Sequence, residues 1–336
     1  MNRLPADRVL VIRFHAIGDT AITLPLASAL AQHSPEIATD YLTTASAAPL
    51  VRALGCFREV HLFPACRTPL ERFRAVVSVA RTLRSREYTT VLDLQGNWAS
   101  RMLRTLLRPA VWSEFDRFAP IPAGLRVRNA FASASFGNLE SPISLPVRQQ
   151  LCSRAEQILS DAGWDGKRRL AILNPAGLWK SRQWPDPYFA ALAGMLTNLL
   201  NCEILFVGTD RISGRVRAIQ DRLGSAAIDL SGRTTLEEAF GILQHASLMV
   251  SEDSGLMHMA WVSGVRTIAL FGSTRHDWAS PLGPHTRQFH SGDLPCSACM
   301  SPQCHYDDVH CLTRVTPVTV FHAARELVDS SMTGRA

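Results

Sequence analysis

Four short stretches carry residue types and spacings suited to chemistry. In FHAIGDT (14–20), Asp19 follows Gly18 just after the apolar run VLVIRF. An aspartate there suits two tasks. It is a preferred helix N-cap, worth roughly 1 kcal/mol, and it is a carboxylate able to take a proton from a substrate hydroxyl. In LMVSEDSGLMHMAW (248–261), a strand-like run ends near Ser251, and Asp253, Ser254 and Gly255 open a helix that carries Leu256, Met257 and His258. The N–H groups of a helix start, backed by the helix dipole, attract phosphate. Gly255 permits close approach of a ligand, Ser254 adds a hydroxyl donor, and His258 lies three residues on. The plainer reading is a capped helix with a core histidine. In LNPAGLWKSRQWP (173–185), Gly177 precedes Lys180 and Arg182 on a strand-end loop. Two such cations suit a diphosphate leaving group, or are solvated surface bases. In CSACMSPQCHYDDVHC (296–311), Cys296, Cys299, Cys304 and Cys311 follow a C-x2-C-x4-C-x6-C spacing with His305 and His310 interleaved. Four close thiols suit tetrahedral zinc or iron, and otherwise stand as idle or redox-sensitive cysteines.

The elements that must position these residues read as alternating strands and helices, the pattern of βα units on parallel sheets. Strands are predicted at 8–14, 37–44, 89–96, 169–176, 202–209, 247–253 and 266–273, with helices at 20–33, 46–54, 69–86, 186–200, 211–223, 235–245 and 255–263. The stretch 110–150 contains Pro109, Pro120, Pro122, Pro142 and Pro146 near or within it and reads as irregular structure and linker. A boundary is expected near 145–152, dividing a Rossmann-like domain at 1–148 from a second at 149–316. Two doubly wound halves place their strand ends toward a cleft, where function is expected.

Composition narrows the class. At 336 residues, 46% hydrophobic and 19% charged, the chain is globular and long enough for two domains. It has no uninterrupted apolar run near the ~20 residues of a membrane span. The N-terminal apolar run is short and broken by Arg13, unlike a signal peptide, so a cytoplasmic protein is expected. The net charge of +6 is uneven: nine arginines lie between Arg67 and Arg108 against Glu71, Glu87 and Asp93. Such a patch favours anionic partners, or is a solvated helix face. Cys56, Cys66, Cys152 and Cys202 are scattered and read as buried or idle.

Taken in order, VIRFHAIGDTAITLPLASAL, NPAGLWKSRQWP, VSEDSGLMHMAWVSGVRTIALFGST, PLGP and the Cys cluster followed by CLTRVTP resemble glycosyltransferase family 9, the bacterial ADP-heptose:lipopolysaccharide heptosyltransferases. The resemblance implies a GT-B fold: two Rossmann-like domains facing each other across a cleft, acceptor bound by the first and nucleotide-sugar by the second. It implies that the final helix, 317–330, crosses back to the first domain. It puts Asp19 at the catalytic base, with Arg13 and Gly18 beside it on the acceptor side. It puts Gly177 and the segment Asp253–His258 at the donor diphosphate. The family commonly has lysine two residues before the Trp of its Lys-x-Trp-Pro motif, where this chain has Arg182, so Arg182 and Lys180 compete for the leaving-group cation. The implied reaction is inverting heptose transfer from ADP-heptose to an anionic glycolipid core, without a catalytic metal, at the inner membrane surface. Transfer to a protein hydroxyl or another glycan keeps the same fold and donor. A metal-stabilised nucleic-acid-binding module is opposed by Asp307 and Asp308 and by having only Tyr306 and Arg314 as aromatic or basic residues near the cysteines.

Overall fold

The computed structural model describes residues 8–34, 36–142, 144–223 and 227–329. The chain forms two compact units, Met1–Arg148 and Gln149–Ala336, each with its own parallel sheet.

In the first unit, β1 (Arg8–Ile12), β2 (Ala38–Thr44), β3 (Val60–Phe63), β4 (Thr90–Asp93) and β5 (Val111–Glu114) lie in the order β3-β2-β1-β4-β5. Every pairing is parallel. Val9 to Ile12 are fully buried because helices cover both faces of a parallel sheet, so the central strand reads as a continuous apolar run. The chain adds β2 and β3 on one side of β1, then β4 and β5 on the other. The loops leaving β1 and β4 therefore flank the point of reversal, where open α/β sheets bind ligands.

In the second unit, β6 (Arg169–Asn174), β7 (Cys202–Phe206), β8 (Ile228–Asp229), β9 (Ala246–Glu252), β10 (Arg266–Leu270) and β11 (Thr286–Phe289) lie in the order β11-β10-β9-β6-β7-β8. Its pairings are also parallel. Here the reversal falls between β6 and β9. The loops leaving these two strands begin at Pro175 and Asp253, the two stretches marked out by sequence as donor sites.

The structure departs from the sequence expectations in several places, and β3, β8 and β11 are strands not predicted from the sequence. The stretch 110–150 is not merely linker, for it holds β5 and the helix Ala123–Ser133. β5 is a four-residue edge strand with Trp112 52% exposed, so it carries no apolar run to betray it. The first helix begins at Ile17 rather than 20, which puts Gly18 and Asp19 inside its first turn. The final helix, Pro317–Asp329, was expected on the first unit. Instead Val320, Phe321, Ala324 and Leu327 join Trp184, Phe189 and Leu192 in the core of the second, and Arg266 Nε donates to Leu327 O at 2.7 Å. Its apolar stripe at i, i+1, i+4 and i+7 is buried there by its own sheet.

Candidate active site

In the first unit, Asp19 is the third helical residue, and its Oδ2 accepts the Ala16 N–H at 3.1 Å. Ala16 has no side-chain oxygen to return the favour, so only half of a capping box is made. Arg13, expected to meet an acceptor, is turned inward. Its Nη2 lies 2.7 Å from Asp19 Oδ2, Nη1 donates to Leu94 O, and its guanidinium sits 5.2 Å from the Phe115 ring centroid. The Arg13 side chain is 8% exposed and that of Asp19 is 44% exposed. Arg13 thus supports a carboxylate that faces solvent. Gly18 is buried beneath it.

A cavity of about 200 Å³ opens in the same unit, lined by Phe14, His15, Thr44, Phe63, Arg72 and Asn97 among others. These come from the ends of β1, β2 and β3, from the helix Pro69–Arg84 and from the loop after β4. Phe14 N donates to Gln95 Oε1 at 2.9 Å, tying the β1 loop to the β4 loop. Burial pushes the His15 imidazole down, and Arg13, Arg72 and Arg117 push it further against the opposing pull of Asp19. The wall is therefore electropositive. Farther along the unit, the arginine excess is smaller than the sequence suggested: Arg86 pairs with Glu59, and Arg101 and Arg104 with Glu114.

In the second unit, Ser254 caps the helix Gly255–Val262, its Oγ accepting from Met257 N at 3.1 Å. Its hydroxyl lies 2.9 Å from Asn174 Oδ1, so the donor expected to face a ligand is engaged by the protein. His258 is 7% exposed, and its Nδ1 accepts from Trp261 Nε1 at 3.1 Å, which places the ring proton on Nε2. Arg182 reaches this helix start. Its Nη1 lies 3.7 Å from Asp253 Oδ2, and its guanidinium stacks 3.9 Å from the Trp179 ring centroid. Burial pushes its guanidinium down against the pull of Asp253. Lys180 is exposed, with no ion pair to this group among the described residues. The structure thus brings Arg182 to the start of the Gly255–Val262 helix and leaves Lys180 exposed.

Gly177 is needed by close approach. A Cβ there would stand 2.5 Å from Arg182 O and 2.8 Å from Glu252 Oε2. Glu252, fully buried, accepts from Gly177 N and from Trp184 N, and pairs with Arg215 at 2.8 Å. Burial pushes the Glu252 carboxyl up against the pull of Arg215 and the two amides, while Glu252 and Asp186 hold Arg215 above its ordinary value despite its burial. Every group facing the two Glu252 oxygens is a donor, so the pair is charged.

Cys296, Cys299, Cys304 and Cys311 line one cavity of about 310 Å³ with Ser181 and Ser273. Among the described residues no group of three or more His, Cys, Asp or Glu is placed to hold a metal ion. The expected tetrahedral set is therefore not assembled. Backbone contacts hold the segment: Met300 N donates to Ser273 O at 2.8 Å, and Ser181 N to Pro302 O at 3.4 Å. Cys304 Sγ lies 3.8 Å from Asp308 Oδ1. Burial and the neighbouring thiols of Cys304, Cys296 and Cys299 push Cys311 up to about 11.

Sequence reading missed Asn174, Glu252 and Arg215 in the second unit, and Arg72 and Asn97 in the first. An acid closing an apolar strand, as Glu252 does, was the available signal. Arg215 gave none, sitting in a helix rich in charge.

Residues 76–310 match the profile of Glycosyltransferase family 9 (heptosyltransferase). The chain belongs to glycosyltransferase family 9. It is 26% identical to lipopolysaccharide heptosyltransferase 1 of Pseudomonas aeruginosa, over 93% of this chain and 96% of that protein. It is 25% identical to lipooligosaccharide heptosyltransferase 2 of Campylobacter jejuni, over 59% of this chain, and the match spans 60% of that protein's length. The solved structure of Escherichia coli ADP-heptose LPS heptosyltransferase II superposes with a TM-score of 0.73 at 19% identity, over 97% of this chain and 99% of that one. The two parallel-sheet units are those of a GT-B fold. The Gly18-Asp19 turn and the Asp253-Ser254-Gly255 helix start each lie at the reversal point of their own sheet.

Proposed function

We propose that this family 9 chain is an inverting heptosyltransferase that moves heptose from ADP-heptose to an anionic lipopolysaccharide core acceptor without a divalent metal. The observation that carries the reading is Arg182 beside Asp253 at the start of the Ser254-capped helix. Of the first-turn N–H groups, that of Met257 is taken by Ser254, leaving those of Gly255 and Leu256 for a diphosphate. As the acceptor hydroxyl attacks the anomeric carbon and displaces ADP, that carbon's bond to the diphosphate oxygen breaks and negative charge builds on the departing ADP. The N–H pair and Arg182 are there to receive it. Asp19 takes the proton of the attacking hydroxyl as the new carbon–oxygen bond forms. The electropositive pocket at His15 and Arg72 supports a phosphorylated or carboxylated acceptor.

A membrane-surface location suits the exposed Leu70 and Phe73, which share a helix with the exposed Arg74 and Arg81. No helix among the described residues is long and apolar enough to cross a membrane. The test is transfer from ADP-heptose to a purified core glycolipid in the presence of a chelator, with the anomeric configuration of the product read by NMR. Inverted product at undiminished rate is expected. A chain that binds no ADP or ADP-heptose in calorimetry overturns the reading, and transfer to a protein hydroxyl instead overturns its acceptor half.

A further inference from the structure

The loop from Pro175 to Asp186 carries Arg182, and its middle is held by Ser181, whose amide donates to Pro302 O at 3.4 Å and whose Oγ lies 2.8 Å from Ser273 Oγ. Both of its ends are tied to one buried ion pair. Glu252, the last residue of β9, accepts from Gly177 N with Oε2 and from Trp184 N with Oε1, the latter at 2.5 Å. Arg215, from the helix Ser213–Leu223, donates through Nη1 to both Glu252 oxygens at 3.0 and 2.8 Å and to Pro175 O at 3.0 Å. Its Nη2 donates to Trp184 O at 2.7 Å, and its Nε to Asp186 Oδ1 at 2.8 Å. Pro175 and Gly177 at the loop's start, and Trp184 and Asp186 at its end, therefore meet at a single carboxylate–guanidinium pair.

Stability alone does not account for this pair. Glu252 is 0% exposed and Arg215 16%. Withdrawing two such charges from water is costly, and apolar residues of like volume often serve folding as well or better. What apolar residues cannot do is satisfy the amides and carbonyls at both ends of a loop at once. Arg215 spends its donors on the protein and offers none to a ligand, so it is no rival to Arg182 as the leaving-group cation.

The position of Glu252 supplies the functional link, for the next two residues are Asp253, which faces Arg182, and Ser254, which caps the donor helix. We infer that the Glu252–Arg215 pair is a positioning device that fixes the Arg182 loop in register with the phosphate-binding turn. This rests on the donor reading of the second unit.

The experiment uses the full chain, with steady-state kinetics in each substrate, ADP calorimetry and thermal melts. The variants are Glu252→Gln, Arg215→Lys and the apolar double substitution Glu252→Leu/Arg215→Met. For Glu252→Gln we expect donor KM to rise and kcat to fall, about a hundredfold together in donor kcat/KM, the scale of an ångström's misplacement of a reacting group. Acceptor KM stays at the wild-type value. Arg215→Lys is expected to lose less than Glu252→Gln, because it keeps the charge without the fork. The double variant leaves the Gly177 and Trp184 amides unpaired, so it is expected to melt below wild type while its kinetic loss stays confined to donor kcat/KM, at least as large as that of Glu252→Gln, with acceptor KM unchanged, which a purely structural role would not produce. Wild-type donor kinetics in Glu252→Gln, or activity restored together with stability in the double variant, overturns the proposal while leaving the donor reading intact. A wild-type chain that binds no ADP removes the donor reading and the proposal with it.

Discussion

Replacing Asp19 by Asn separates its two roles by size and by observable. The folding role is small. Oδ2 accepts one amide N–H at 3.1 Å and meets Arg13 at 2.7 Å on a carboxylate that is 44% exposed. Solvent screening at that exposure leaves the ion pair worth under about 1 kcal/mol, and the cap is worth roughly another 1 kcal/mol. Asn retains a carbonyl oxygen for the Ala16 N–H, so much of the cap survives. The proposed catalytic role is larger: a general base contributes ~10²–10⁴-fold, which is about 3–5 kcal/mol of barrier. Asp19→Asn should therefore lose at least about a hundredfold in kcat while its melting temperature stays close to wild type. ADP affinity should be unchanged, since Asp19 belongs to the first unit and the proposed donor site to the second. The assay is sugar transfer at saturating donor and acceptor, with ADP calorimetry and a thermal melt on the same preparation. A variant that transfers at the wild-type rate would refute the base assignment and leave Asp19 as a cap.

Arg182→Ala should lower donor kcat/KM by tenfold or more, on the order of one charge-assisted contact, whereas Lys180→Ala should change it little; equal losses in both would return the choice between them to the sequence. Gly177→Ala sets a methyl 2.5 Å from Arg182 O and should cost about 1–3 kcal/mol, with a raised donor KM; an unaltered KM in folded protein would show that the loop yields freely. Burial alone would raise the Asp40 carboxyl, but hydrogen bonds from His61 and Tyr88, the latter at 2.6 Å, hold it below its ordinary value. Its contribution is thus present above the ordinary aspartate range and lost as pH falls through the lowered value. Tyr88→Phe should cost about 1–2 kcal/mol near neutrality and flatten the acid limb of denaturant midpoints plotted against pH, and an identical limb would count against this account.

The sequence by itself determined what depends on neighbours a few residues apart. Buried parallel strands such as Val9–Ile12 and Leu170–Leu173 announce themselves as apolar runs because both of their faces are covered. The Ser254 cap and the helix after it rest on contacts three residues apart. The strand-end places of Asp19, Gly177 and Asp253 followed from the alternation of strands and helices. Tertiary structure decided what depends on residues far apart in the chain. Edge strands β3 and β5 are four residues long and half-exposed, so their strand character comes from pairing with β2 and β4. The final helix had an apolar stripe, but a stripe does not say which sheet will bury it. Lys180 and Arg182 are two residues apart and chemically alike; the short helical turn they share sends one to Asp253 and the other to solvent. Glu252 and Arg215 are 37 residues apart, and each reads locally as an ordinary charge. Only the folded sheet, by burying one against the other, makes them a pair, because an ion pair is set by distance in space and local sequence carries no record of that distance.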